Sequence, residues 1–193
     1  MTESAALAVF LLIAMAAAGV VHVAWINWAN SELLLAPVDF GARFRGARVF
    51  GDNKRLRGFV ALPLAAAAAF ALLAGFRDGL PAPLAASLWP LPTLQFAGIG
   101  LAAGFGFVLA ELPNSFFKRQ LGVAPGQVPE RGWLRTCCLL LDRVDSTLGV
   151  LIAVSLLAPV PAMTWFWVLL FGPGLHALFS AVLFRTGVKV RAL

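Results

Sequence analysis

Acidic side chains able to hold a metal ion occur at two places in an otherwise apolar chain. Asp142 and Asp145 are three residues apart, so on a helix they would share one face, with Ser146 beside Asp142. Glu111 follows a separate apolar run. Carboxylate oxygens with few histidines suit Mg²⁺, which predicts a magnesium site. Simpler roles stay open: helix capping, which explains one aspartate better than two, and an interfacial position for Glu111.

Basic residues, amides and glycines accompany these acids. They are Asn53, Lys54, Arg57 and Gly58 in a first hydrophilic segment, and Asn114, Ser115, Lys118, Arg119 and Arg143 close to the acids. Glycine lets backbone N–H groups approach an anion closely, and the cations neutralise it. A basic loop beside a membrane explains the arginines but not the glycines. Cations next to a magnesium site indicate a nucleoside triphosphate.

Several other kinds of chemistry are not indicated. Cys137 and Cys138 are the only cysteines, and an adjacent pair makes no disulfide framework. The run from Gly51 to Arg55 lacks the spacing of a Walker loop, so ATP hydrolysis by that route is not expected. The net charge is +6, but the charges sit in a few segments between apolar runs, so no nucleic-acid partner is expected.

The elements that position these residues are set by composition. The 193 residues are 61% hydrophobic and 12% charged, with a mean hydropathy of +0.88. A soluble domain of this size has too much surface to hide so much apolar area, so lipid is the expected solvent. The length predicts a single domain over residues 1–193.

Five apolar segments are each long enough to cross a hydrocarbon core, which takes roughly 20 residues of helix. They run near Ala5–Trp28, Phe59–Phe76, Thr93–Ala110, Leu139–Val160 and Met163–Phe184. Every backbone polar group must be satisfied inside lipid, and the alternation of a β-barrel is not visible. The sequence therefore predicts an all-α, polytopic membrane bundle of about five helices, in which Glu111 ends the third span.

Basic residues predict how this bundle lies in the membrane. They concentrate in the first and third hydrophilic loops and in the carboxyl-terminal tail, whereas the second and fourth loops contain only Arg77. Basic loops stay in the cytoplasm. We therefore expect an inner-membrane protein with its amino terminus outside the cell membrane and its carboxyl terminus in the cytoplasm. The candidate site residues would face the cytoplasm.

The sequence resembles the CDP-archaeol synthase branch of the phosphatidate cytidylyltransferase superfamily. The branch pattern Phe-Gly-x-Asn-Lys-Thr-x-Arg-Gly-Phe corresponds to residues 50–59 here. The superfamily pattern Ser-x-x-Lys-Arg, with an acid four residues earlier, falls on 111–119, and Asp-Arg-x-Asp falls on 142–145. One residue departs from the pattern, because Arg55 replaces the threonine. Three ordered motifs are more specific than any one of them.

The resemblance implies that CTP reacts with a membrane lipid phosphate to give a CDP-lipid and pyrophosphate, with Mg²⁺ as cofactor. The implied catalytic residues are Lys118, Arg119, Asp142 and Asp145. Substrate would be bound by Asn53, Lys54, Arg57, Gly58, Asn114, Ser115 and Arg143, and the metal by Glu111, Asp142 and Asp145. The lipid is left open between phosphatidate-like and ether types, and a homodimer is also left open.

Rival interpretations are a transporter or lipid flippase, and a non-catalytic membrane scaffold for which Arg55 would be the sign of decay. Five spans without an internal repeat argue against a transporter. Asp39 is open between a nucleotide contact and a loop cap. His22 and His176 lie inside predicted spans but outside every motif, so we expect them to make interhelical hydrogen bonds.

Overall fold

The computed structural model describes residues 2–28, 34–127, 129–130 and 132–185, and these are mainly helical. The helices are α1 (Glu3–Trp28), α2 (Leu56–Gly75), the short α3 (Ala82–Ala86), α4 (Thr93–Gln120), α5 (Trp133–Ser155) and α6 (Ala162–Arg185). A hairpin of two-residue strands, β1 (Arg43–Phe44) and β2 (Ala47–Arg48), precedes α2. A 3-10 turn, Arg77–Gly79, precedes α3. The predicted all-α membrane bundle is confirmed.

Four helices in the described part of the chain are long and apolar enough to span a membrane: α1, α2, α4 and α6. The remaining long helix, α5, overlaps the predicted fourth span but carries Asp142, Arg143 and Asp145 near its middle. These charged side chains lower the mean hydropathy of α5, and the same residues form part of the polar site described below. The number of spans and the orientation of the termini therefore stay predictions.

Helix α4 continues well beyond the expected end of the third span. We expected Glu111 to end the span, yet the helix runs on to Gln120 and includes Pro113. Glu111, Ser115 and Lys118 lie at spacings of four and three, so they occupy one face of this extension. A helix whose polar face packs against other parts of the protein can continue past these residues. A helix exposed to lipid on all sides would have to end there.

The long helices form a closed ring in the order α1, α2, α4, α5, α6. At one end, Thr164 Oγ1 donates to the carbonyl of Ser4 at 3.0 Å, and Trp89 Nε1 donates to the carbonyl of Pro159 at 2.8 Å. Phe10 and Phe96 pack edge to face in the core at 5.8 Å. The carboxyl ends of α1, α4 and α6 consequently meet the amino ends of α2 and α5 at the other end.

Close approach of α4 and α5 depends on Gly106 and Gly149. A Cβ atom built on Gly106 would lie 2.3 Å from the carbonyl oxygen of Gly149, and one on Gly149 would lie 2.1 Å from that of Gly106. Both obstructing atoms belong to the backbone, so neither can move without moving a helix. Small residues at such crossings let membrane helices pack backbone to backbone.

Replacing Gly106 with alanine is expected to push α4 and α5 apart and to lower the thermal stability of the protein in detergent. The matched control is Gly98→Ala on the same helix, where an added Cβ meets no atom within 4 Å. That control should be neutral or slightly stabilising, because alanine favours a helix over glycine by about 1 kcal/mol. An equal decrease in unfolding temperature for both variants would contradict the close approach of α4 and α5.

Candidate active site

One cavity of about 670 Å³ lies at the end of the bundle where the polar residues meet, and it is lined by all five long helices. All predicted site residues except Asn114 line it: Asn53, Lys54, Arg57, Gly58, Glu111, Ser115, Lys118, Arg119, Asp142, Arg143 and Asp145. The cavity continues between α1 and α6, where its walls are apolar and include Leu11, Met15 and Val168. It therefore has a charged part and a hydrocarbon part.

Asn114 holds the two aspartates of α5 together from α4. Its Nδ2 donates to Asp142 Oδ1 at 2.7 Å and lies 3.2 Å from Asp145 Oδ2. Lys118, one turn further along α4, donates to the same oxygen of Asp142. Asn114 and Lys118 are both buried. The two helices thus present a paired carboxylate site whose geometry is set by buried donors.

Glu111 lies between three other elements. Its Oε2 accepts a hydrogen bond from Lys54 Nζ in the segment before α2. Its Oε1 is 3.8 Å from Nε2 of His176 on α6, and His176 Nδ1 is 3.1 Å from the hydroxyl of Ser146 on α5. Ser146 is fully buried. Glu111 therefore connects the loop, α4 and α6 directly beside the aspartate pair.

Arg119 is a cation buried without a full set of acceptors. It is 6% exposed, and its Nε and Nη1 find no hydrogen-bond acceptor among the described residues. Its aliphatic part runs beside Gly51, which has a φ of +94° and where an added Cβ would lie 2.9 Å from Pro125, so only glycine suits this position. A buried guanidinium with free donors is costly unless a bound anion completes it. Two buried donors without acceptors make Arg119 a candidate contact for an anionic group.

The segment that carries Lys54 is held in place by Asp39. The buried Asp39 carboxylate accepts hydrogen bonds from the backbone N–H groups of Gly41, Phe50 and Gly51 at 2.9–3.1 Å, and from Arg48 Nη2 at 2.6 Å. Of the two roles left open for Asp39, loop capping is the one that this geometry supports. The carboxylate positions the turn after Gly51, which in turn directs Lys54 at α4.

Replacing Asp39 with asparagine is expected to loosen this turn. Loss of a charged hydrogen-bond acceptor costs about 1.5–3 kcal/mol, so the amides of Phe50 and Gly51 should exchange with deuterium at least about tenfold faster. The control is Asp52→Asn, whose carboxylate pairs with Arg48 but whose side chain is 68% exposed. Equal exchange rates in the two variants would contradict the anchoring role of Asp39.

The same contacts predict a pH dependence. Burial raises the pKa of Asp39, but the hydrogen bonds from Arg48 and the backbone outweigh it and hold the pKa well below its usual range. Stabilisation of the loop is therefore complete above the unfolded pKa of about 3.9 and is lost as pH falls through the lower folded value. Exchange protection should persist at pH 4 and disappear only in stronger acid, whereas the asparagine variant should show no such transition.

The acidic groups of the cavity meet part of the needs of a divalent cation. Within the described ranges, no three acidic, histidine or cysteine side chains stand close enough together to hold a metal ion between them. Mg²⁺, however, is usually bound by one or two carboxylates together with substrate phosphates and water. Asp142 and Asp145, which face a single amide nitrogen, fit that arrangement.

Two histidines that the motifs did not include also line the cavity. His176 makes the interhelical contact with Ser146 that we expected, but it also reaches Glu111, so it belongs to the site. His22 of α1 lies beside Gly58, where an added Cβ would be 3.9 Å from His22 Nε2. An ionisable residue inside an apolar segment is the signal that points to both.

The chain matches known proteins along most of its length. A family model described as CarS-like CDP-archaeol synthase matches residues 12–191. The chain belongs to the CDP-archaeol synthase family. This membership confirms the resemblance based on three motifs.

Individual CDP-archaeol synthases align over most of the chain. The protein from Thermofilum pendens is 33% identical over 159 residues, which are 80% of this chain and 65% of that protein. The protein from Methanoculleus marisnigri is 30% identical over 163 residues, which are 79% of this chain and 87% of that protein. The chain thus spans just under two thirds of the Thermofilum protein.

The fold has a counterpart among solved structures. A structure described as an intramembrane enzyme for archaeal membrane lipids biosynthesis covers 92% of both chains, with a TM-score of 0.54 at 22% identity. At that identity the similarity concerns the fold alone. It agrees with an integral membrane protein built as a helical bundle, as the CDP-archaeol synthase family membership requires.

Proposed function

We propose that this chain transfers the cytidylyl group of CTP to the phosphate of an archaeol-type ether lipid, giving a CDP-lipid and pyrophosphate. The observation that carries the proposal is the continuity of the cavity. A single space joins buried cations and paired carboxylates to an apolar region between α1 and α6. The relatives named above are CDP-archaeol synthases, which supports an ether lipid over phosphatidate.

The apolar region has dimensions that suit hydrocarbon chains. Leu11 and His22, both of α1, line the cavity eleven residues apart, which is about 16 Å along a helix. Leu12 and Met15 line the wall along this stretch. A polar nucleotide gains little from apolar walls. The tails of a lipid bury apolar surface there, and each Å² buried stabilises the complex by about 25 cal/mol. The phosphate of that lipid would then lie beside the charged part.

In the proposed reaction an oxygen of the lipid phosphate attacks the α-phosphorus of CTP. A new P–O bond forms, the bond between the α-phosphorus and its bridging oxygen breaks, and the electron pair leaves with pyrophosphate. No covalent enzyme intermediate is needed, so the protein contributes positioning and charge neutralisation. Lys118, Arg119 and Arg143 would hold phosphate oxygens, and Lys54 with Arg57 would close the site from the loop side.

We assign the cofactor role to Mg²⁺, held by Asp142 and Asp145, with Glu111 as the third predicted ligand. A bound magnesium ion supplies charge neutralisation on the phosphate oxygens. Asn114 and Lys118 position the aspartate pair, while Lys54 and His176 position Glu111. Ser115, buried on the same face of α4, is suited to donate a hydrogen bond rather than to act as a nucleophile.

The proposed location of the site is the cytoplasmic side of the inner membrane. CTP is a cytoplasmic nucleotide, and the basic residues of the first and third loops lie at the end that contains the cavity. The amino terminus would then lie outside and the carboxyl terminus inside. The site is built from one chain, and a homodimer stays a prediction.

The test is an assay of purified protein with CTP labelled at the α-phosphate, Mg²⁺ and a panel of lipid phosphates. We expect a labelled CDP-lipid with an isoprenoid ether-lipid phosphate, less with phosphatidate, and very little with a short-chain glycerol phosphate that cannot fill the apolar region. Chelation of divalent metal should abolish the product. Lipid movement across vesicles without CTP consumption would instead support the flippase interpretation.

A further inference from the structure

A lipid-facing surface of α4 continues beyond the site toward the hairpin. Phe105, Leu109 and Pro113 are exposed and recur every four residues, so they lie along one face of this apolar helix. Phe116 follows three residues later on the same face. The exposed apolar face of α4 therefore does not stop where the polar site begins, but extends to the last turn of the helix.

The hairpin packs against the end of that same face. The rings of Phe44 in β1 and Phe116 lie 5.7 Å apart, and Gln120 Nε2 donates to the carbonyl of Arg48 in β2 at 3.3 Å. Phe44 is still 48% exposed, and the adjacent Phe117 is 64% exposed. Aromatic rings stand outward here, on the side of the bundle that α4 presents to lipid.

The length of α4 places these rings at the level of lipid headgroups. Its 28 residues extend about 42 Å, whereas a hydrocarbon core is about 30 Å thick. Phe116 lies seven residues, or about 10 Å, beyond the lipid-facing Leu109. The last turns of α4 and the attached hairpin consequently reach the interfacial region, where side chains such as Phe and Leu can insert at the boundary between headgroups and acyl chains.

The charge of the hairpin complements an anionic surface. Arg43 and Arg45 flank Phe44 and are exposed, and the Arg45 guanidinium lies 5.4 Å from the centre of the Phe44 ring. Among the described residues, no carboxylate lies within 4.0 Å of either arginine, since Asp39 and Asp52 both pair with Arg48. Cations at such a position are attracted to an anionic bilayer surface.

We propose that the hairpin patch, defined as Arg43, Phe44, Arg45, Phe116 and Phe117, is a membrane-interface contact that binds anionic lipid headgroups. The rings enter the interface and the two guanidinium groups pair with headgroup phosphates. Because the hairpin leads directly into the Asp39-anchored turn, this contact fixes the loop that carries Lys54 to the bilayer surface. The proposal concerns a surface outside the cavity and does not rest on the proposed reaction.

The test uses a spin label attached to a cysteine that replaces Ala42, an exposed residue two positions before Phe44. The label is placed in the full chain, with Cys137 replaced by serine. The protein is reconstituted in nanodiscs of phosphatidylcholine with or without 30% phosphatidylglycerol. Collision rates with lipid-soluble oxygen and with a water-soluble nickel chelate are measured. The reference is a label at Ala124, which is exposed in the α4–α5 connection.

We expect the oxygen-to-nickel ratio at Ala42 to be at least about twofold higher than at Ala124, and to rise in the anionic discs. The variant R43Q/R45Q should abolish that rise, whereas Arg135→Gln, a change at an exposed arginine of α5, should leave it intact. A ratio equal to that at Ala124 would show a water-facing hairpin and overturn the proposal. Protection from both reagents would show that protein covers the patch, which overturns it equally.

Discussion

Replacing Asp145 with asparagine is expected to lower CTP-dependent formation of CDP-lipid by about 10³-fold, a loss at the upper end of that seen when one preorganised electrostatic group is removed. Asparagine keeps the size of the side chain and its place beside Asn114, but it removes a negative charge from the aspartate pair. The measurement is single-turnover product formation at saturating CTP and Mg²⁺, so that weaker binding and slower chemistry are separated.

The matched control is Asp78→Asn, which removes an exposed aspartate from the 3-10 turn after α2. It should retain full activity. Size-exclusion profiles and helix content should be the same for both variants, because Asp145 is not needed to close the ring of helices. Near-normal turnover by the Asp145 variant in a folded state would remove this residue from the proposed metal site.

Replacing Arg119 with methionine is expected to stabilise the protein and inactivate it at the same time. Each buried donor without an acceptor costs about 1–3 kcal/mol, and Arg119 has two among the described residues. Methionine fills similar space without that cost, and 1 kcal/mol corresponds to about 2–4 °C in Tm for a chain of this length. Activity should fall by about 10²–10³-fold, because an anion-binding group is lost.

Two further variants distinguish this explanation from a general effect of arginine. Arg119→Lys keeps the charge but loses the forked donors, so it should retain partial activity with a raised KM for a phosphate-bearing substrate. Arg135→Met, on the exposed side of α5, should change neither stability nor activity. A destabilised but active Arg119→Met protein would show that Arg119 serves the fold instead of the substrate.

Features that depend on local sequence were predictable. Hydropathy is summed over consecutive residues, so the apolar runs identified membrane helices without any knowledge of their neighbours. The spacing of Asp142 and Asp145 likewise placed both on one face of α5, because helical periodicity is a local property. The three motifs, each contiguous in the chain, contain most of the polar residues that line the cavity; the others are His22, Gln127, Thr147, His176 and Ser180.

The extent of α4 shows where local reasoning fails. A run from Glu111 to Gln120 with three charges and a proline resembles the end of a span when it is considered alone. In the structure its polar face turns toward α5 and the cavity, while Phe117 is exposed and Phe116 packs against Phe44 of the hairpin. The polar face and the apolar face each meet surroundings of matching polarity, so the helix continues to Gln120.

Only the tertiary structure decided which distant side chains meet. His176 was recognisable as an intramembrane histidine, but its contacts with Ser146 and Glu111 exist because α6 completes the ring beside α4 and α5. The unsatisfied donors of Arg119 depend equally on what surrounds them. Which residues surround it depends on how closely the helices pack. At the α4–α5 crossing, the distance between the helices is set by two glycines, Gly106 and Gly149, which have no side chains. The sequence by itself determined the membrane helices and the chemical groups, and packing determined the site that they form.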